Sequence, residues 1–406
     1  MPSPYFFFRP VINAERGWSA LDCHSSTPET TKSDDLVRCF SDTTVESLTN
    51  LLPTIIPIEA IWLEQSAFLE KFDAARFVFV LPAAALDNPQ VLDRCKQLKS
   101  RGYHLALHVD AANVVQRVPL AGFDYLHLGA AFARNELPGS DLVYSSDAGF
   151  RKIATEIDSH EMFDWLSGKG FDLSDCHFLT LRNPLFGKEP DLTRLKLLKL
   201  LTLVERDGNT HDIEEIFRQE PKLSYNLLRL VNSVAVGART RISSFSQAIA
   251  ILGRRQLQRW LQLLIYANNL ADGNTPNPLM QIAAARGRQM ELLSAALEPK
   301  SDIPDLADKA FLTGMFSLLD VLVNIPINEI LKELPLHEEV ATALKTPQLG
   351  DVLGQLLLAV TAEESGEFSI AEDILEKLGI SPEKHAKAQV SALFWAARIN
   401  VDNSDN

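Results

Sequence analysis

Through the first half of the chain, short apolar runs alternate with amphipathic stretches. Tyr5–Phe8, Phe77–Leu81, Leu105–Val109, Tyr125–Leu128 and Phe178–Leu181 have the length and composition of strands. Helical spacing fills intervals such as Pro89–Ser100 and His160–Gly168. Strand–helix alternation predicts βα units around a mostly parallel sheet. A full (β/α)8 barrel takes about 250 residues and this half has roughly 185, so any barrel here is abbreviated. The pattern breaks in NPLFGKEPDL (183–192), whose two prolines and glycine read as a linker. The expected organisation is therefore a first domain over 1–184, a linker over 185–194, a second domain over 195–400 and a frayed polar tail over 401–406.

From Leu195 onward the period is helical. Leu223, Leu227, Leu230 and Val231 form one buried stripe behind Pro221. Ser244 and Gln247 have capping-box spacing ahead of Ala248, Ile249, Ile251 and Leu252, and Gly253 suits the residue past a helix end. Leu257, Trp260, Leu261, Leu264 and Ile265 make a further stripe.

Composition narrows the function. The net charge of −14 repels polyanions at long range, which disfavours nucleic acid and anionic membrane as partners. Arg254, Arg255 and Arg259 form a basic cluster beside Gln256, Gln258 and Gln262. It reads first as a solvated helix face with ion pairs, next as a protein-docking surface, and last as a base-reading helix. Cys23, Cys39, Cys95 and Cys176 are irregularly spaced with no CxxC pair, as in a reduced, cytoplasmic protein. No run reaches the roughly 20 apolar residues of a membrane span.

Several segments carry a family resemblance. EPKLSYNLLRLVNS (220–233) and ISSFSQAIAILGRRQLQRWLQLL (242–264) resemble the signature of HDOD domains, and FLTGMFSLLDVLVNIPINEILKELPL (311–336) resembles the subgroup in which an HDOD domain follows an EAL domain. The resemblance implies an abbreviated, TIM-like EAL (β/α) barrel followed by an all-helical, HD-like domain. HDOD domains resemble HD-type phosphohydrolases without the metal-binding residues; here Ser317 and Leu318 stand where His-Asp would be. The three histidines of this half, His211, His337 and His385, are far apart, and Asp212 after His211 reads as a helix cap.

The first half then compares with an EAL domain, a barrel that hydrolyses cyclic di-GMP with two metal ions. In RPVINAERGWSAL (9–21), Ser19 stands at the metal-ligating Glu, and Cys23 at a ligand-holding arginine. In RGYHLALHVD (101–110) the two aspartates are His108 and Val109. In GFDYLHLG (122–129) a catalytic Lys and an Asp are His127 and Gly129. Glu156 and Asp158 replace a Lys and a Glu, and Asp175 and Cys176 replace Gln-Gly. Two divalent ions need several anionic oxygens to offset their charge, so the resemblance implies a barrel without metal, cofactor or turnover. A new metal site built from His104, His108, His127 and Asp110 is the competing expectation. The implied function is a non-enzymatic signalling scaffold that docks or dimerises and binds a kinase, response regulator or diguanylate cyclase. The alternatives are a cyclic di-GMP receptor without turnover, for which Arg9 and Trp18 are well placed, and a hydrolase for another phosphoester.

Overall fold

A computed structural model describes residues 3–182, 258–259, 262–263, 277–334, 336–347 and 351–399. The expected linker, most of the two signature helices, Arg254, Arg255, His211 and the tail lie outside them. The contacts group the chain into two units, the first Met1–Leu181 with Thr361–Ser391, the second Arg182–Val360 with Ala392–Asn406.

The first unit is built on eight strands: β1 (Phe6–Asn13), β2 (Trp18–Ser25), β3 (Thr54–Pro57), β4 (Phe77–Leu81), β5 (His104–Val109), β6 (Tyr125–Gly129), β7 (Arg151–Thr155) and β8 (Leu173–Asp175). They close into a barrel in chain order. β1 runs antiparallel to both neighbours, and every other pairing is parallel. The barrel is abbreviated in its crossovers. A single 3-10 turn, Ala112–Arg117, links β5 to β6, and a 3-10 turn with the four-residue α3 (Ser66–Leu69) links β3 to β4. Fuller helices are α1 (Ser33–Phe40), α2 (Thr43–Leu51), α4 (Pro89–Ser100), α5 (Ala130–Asn135), α6 (Gly139–Asp147) and α7 (His160–Gly168). α4 starts where it does because Asn88 accepts hydrogen bonds from the Gln90 and Val91 amides and Pro89 gives up no needed donor. Ser159 caps α7 in the same way through Met162 N.

The run Phe178–Leu181, expected as a strand, is instead a 3-10 turn at His177–Thr180. The strand that closes the barrel is the preceding Leu173–Asp175, because those residues meet β1 on one side and β7 on the other. The inward layer at mid-barrel includes Val11, Ala20, Val78, Ala106, Tyr125 and Leu173, and it fixes which residues of each strand face inside.

The division expected at 184 differs from the grouping of the chain: Thr361–Ser391 belongs with the barrel. The reason is a seam. β8 pairs with β1 only at Val11, Ile12 and Asn13, which leaves Phe6–Pro10 without a strand on that side. Helices α13 (Val352–Ser365), α14 (Phe368–Lys377) and α15 (Pro382–Ala397) supply the missing partners. The Phe8 amide donates to Gln389 Oε1 at 2.9 Å, and Gln389 Nε2 donates to Glu363 Oε2 at 2.8 Å. Glu363 Oε1 also holds His385 Nε2 at 2.7 Å, both side chains fully buried. Tyr5 Oη donates to the Ile380 carbonyl at 2.5 Å.

In the second unit, α8 (Pro278–Ala296) and α9 (Leu306–Phe316) pack through glycines. A Cβ on Gly314 would lie 2.6 Å from Gly287 Cα, so only glycine permits this approach. α10 (Leu319–Val323), α11 (Ile327–Glu333) and α12 (Glu338–Lys345) follow.

Candidate functional site at the barrel mouth

Because β2–β8 run parallel, their C-terminal ends share one rim, the usual position of function in such barrels. Antiparallel β1 brings its first half to the same rim, pairing Arg9 with Asp22 and Phe7 with His24. Counting outward by twos from the mid-barrel layer turns Arg9, Asp22, His24, His108, His127 and Asp175 inward.

Two small networks result. Arg9 Nη2 donates to Asp22 Oδ2 at 3.1 Å and sits 3.2 Å from His24 Nε2, which is itself 2.6 Å from Asp22 Oδ2. Burial opposes ionisation of Asp22, but the His24 ring and the Arg9 guanidinium together hold its carboxyl well below the usual range. Opposite each other on β5 and β6, His108 and His127 place their Nδ1 atoms 3.0 Å apart. One ring must then donate and the other accept. Burial pushes His127 down to about 4, so its imidazole is neutral. Asp175 receives the Ile157 amide at 3.2 Å, and burial pushes its carboxyl up to about 6.

Above these groups lies a cavity of about 680 Å³, bordered by His24, His108 and His127 and walled by Ile56, Trp62 and Phe368. Phe368 of α14 stacks on Phe7 and His24 at centroid distances of 5.0 and 5.1 Å, with the Arg9 guanidinium 5.4 Å from its ring.

Cys23 lies on the face of β2 opposite Asp22 and His24, and Ser19 is the unpaired residue at the bulge where the pairing with β1 shifts between Val11 and Ile12. Ser19 Oγ donates to the Gly17 carbonyl, and Cys23 is buried, which raises its thiol pKa. A slip of one residue exchanges the faces of a strand, and the inward positions here are Ala20, Asp22 and His24. Val109 likewise points away from the interior and is buried. Gly129 ends β6 beside Glu156, which is exposed with φ 59°, and Asp158 is exposed. Cys176 is buried with its thiol against the Pro10 carbonyl, and all four cysteines are free.

Of the four residues weighed as a new metal site, only His108 and His127 meet. His104 sits at the opposite end of β5 with Asp124 at 3.6 Å, and Asp110 is exposed beyond its end. Among the described residues no group of three or more His, Cys, Asp and Glu side chains is arranged to hold a metal ion. Asp22, His24 and Phe368 were missed by sequence reasoning. The facing of the first two follows from the pairing of β2 with β1, and nothing local marks Phe368.

In the second unit, Ser317 Oγ accepts from Arg286 Nη1 at 2.6 Å and donates to the Gly314 carbonyl, and Leu318 is buried. Arg259, expected on a solvated face with ion pairs or on a docking surface, makes ion pairs but is mostly covered. Its guanidinium pairs with Glu291, reaches Asp308 at 3.2 Å and lies 5.1 Å from the Phe311 ring. His337 precedes α12 and is exposed.

Residues 193–333 match the family model described as HDOD domain. The C-terminal half carries an HDOD domain. Over 374 residues the chain is 25% identical to the "Uncharacterized protein YuxH" of Bacillus subtilis, covering 89% of this chain and 84% of that protein. Over 369 residues it is 24% identical to the "Cyclic di-GMP phosphodiesterase CdgJ" of Vibrio cholerae, covering 89% and 79%. Among solved structures, the EAL enzyme Bd1971 in its cAMP-bound form aligns with a TM-score of 0.36 and 12% identity, covering 43% of this chain and 62% of that chain. The FimX EAL domain of Pseudomonas aeruginosa bound to c-di-GMP aligns with a TM-score of 0.33 and 13% identity, covering 44% and 89%. An eight-stranded barrel followed by a helical region with an HDOD domain is therefore the architecture. Among the described residues no helix is long and apolar enough to cross a membrane.

Proposed function

We propose that this chain is a non-enzymatic scaffold in cyclic di-GMP signalling, whose barrel and HDOD domain bind partner proteins such as a kinase, a response regulator or a diguanylate cyclase. Its place in cyclic di-GMP signalling rests on the HDOD match and on the named activity of the Vibrio relative. The loss of hydrolysis is supported above all by the commitment of Asp22. Two divalent ions bring four positive charges, which several anionic oxygens must offset. Asp22, the inward carboxylate held ionised, is already paired with the Arg9 guanidinium and hydrogen-bonded to the His24 ring. Asp175 already receives the Ile157 amide, and Ala20, His108 and His127 offer no anionic oxygen. The residues at the mouth therefore do not fit a pair of Mg²⁺ or Mn²⁺ ions. At Ser317 the neighbour is a guanidinium, and its positive charge opposes a cation there.

The test is hydrolysis and binding of cyclic di-GMP measured on one pure sample of the full chain with Mg²⁺ and Mn²⁺. No turnover is expected, and the chain should retain specific partners from lysate. Robust turnover in either metal would overturn the scaffold. The second reading, a receptor without turnover, is favoured by the ring-walled cavity. Micromolar or tighter binding by calorimetry, without hydrolysis, would put it first.

A further inference from the structure

The one pair of the candidate metal residues that the fold brings together has a chemistry of its own. His108 and His127 are directly opposite on adjacent strands, held by the β5–β6 ladder and facing the barrel interior. Their Nδ1 atoms are 3.0 Å apart, and both rings border the 680 Å³ cavity. Nitrogens bound about 2.0–2.1 Å from one tetrahedral ion lie about 3.3 Å from each other. To admit an ion in place of the proton they share, the rings need to part by a few tenths of an ångström and each to tilt by about 35° so that both lone pairs meet at one point.

We infer that His108 and His127 form a two-imidazole site for a single borderline transition-metal ion of the Ni²⁺, Cu²⁺ and Zn²⁺ class, with solvent from the cavity completing its shell. Imidazole suits these ions, whereas Mg²⁺ prefers oxygen. The inference does not rest on the scaffold reading, since a mononuclear imidazole site implies no hydrolysis and is read out by binding alone.

Tag-free full-length protein titrated with NiCl2, CuCl2 and ZnCl2 by calorimetry should take up one ion per chain, most tightly for Cu²⁺. His108→Asn and His127→Asn should each weaken binding by about tenfold or more. His104→Ala, which removes a histidine at the far end of β5, should leave it unchanged. Electron paramagnetic resonance of the Cu²⁺ form of the unaltered chain should show coupling to imidazole nitrogens, a readout that needs no variant to fold. Absence of saturable binding at millimolar metal, or binding undiminished in both Asn variants, would overturn the site and leave the rings as a proton-sharing pair only.

Discussion

Glu363 is the hinge of the seam, and its removal gives a sharp test of why the last helices belong to the barrel. Its two oxygens hold His385 and Gln389, and Gln389 in turn holds the Phe8 amide. The Glu363 and His385 side chains are 1% and 0% exposed, so water cannot replace a lost partner. Glu363→Ala strips an acceptor from two buried donors. An unsatisfied buried group costs about 1–3 kcal/mol, and breaking one side of a buried pair about 3–5 kcal/mol. The expected loss is therefore about 3–5 kcal/mol, far above the small effect of an ordinary surface change. Glu363→Gln keeps the shape and one carbonyl, and the imidazole can change tautomer to accept from the new amide, so about 1–2 kcal/mol is expected. Urea unfolding followed by circular dichroism gives both differences, and hydrogen exchange at the Phe8 amide should quicken in Glu363→Ala. A Glu363→Ala chain within about 1 kcal/mol of the parent, with Phe8 still protected, would refute the seam.

The mouth predicts opposed pH dependences. His127 is depressed from its ordinary 6.5 to about 4, so its contribution is complete above 6.5 and is lost as pH falls toward 4. That loss is about 3 kcal/mol at most, and His127→Asn should flatten the acid side of a stability–pH curve. Asp175, raised to about 6, contributes below its ordinary value and loses that contribution as pH rises through 6, so Asp175→Asn should stabilise the chain above pH 6. Unfolding midpoints at pH 5 and pH 7.5 check both signs. Arg259→Ala should cost about 3 kcal/mol or more by leaving Glu291 with less cationic support, and Arg259→Lys should recover part of it. A folded, equally stable Arg259→Ala chain with altered partner binding would return that residue to a docking role.

Much of the barrel was legible where strand and cap signals are strong. Phe77–Leu81, Pro89–Ser100 and His160–Gly168 fall where apolar runs and helical spacing put them. β3, β7 and β8 escaped: β3 and β8 are four and three residues long, β3 ends on a proline, and β7 opens with Arg151 and Lys152. The facing of β2 is hidden for a different reason. In a barrel wrapped by helices both faces of a strand are buried, so Ala20, Leu21, Asp22 and Cys23 are all inaccessible and no polarity contrast marks the interior. Its facing is set by the pairing of Arg9 with Asp22, a relation between strands that a one-strand pattern does not contain. The run at Phe178–Leu181 was apolar enough for a strand, but the ladder had already closed at Asp175. For Arg259, the acids that receive it are 32 and 49 residues away.

The seam also sets a timetable for synthesis. Strand β1 leaves the ribosome well before its covering helices. At about 5–20 residues per second, the roughly 180 residues between Leu181 and Thr361 take about 10–40 s to make. For that interval the nascent barrel carries a bare Phe8 amide and an uncapped aromatic edge at Tyr5 and Phe7. Translation halted anywhere before Ser391 leaves that edge open, a sticky surface for chaperones to guard.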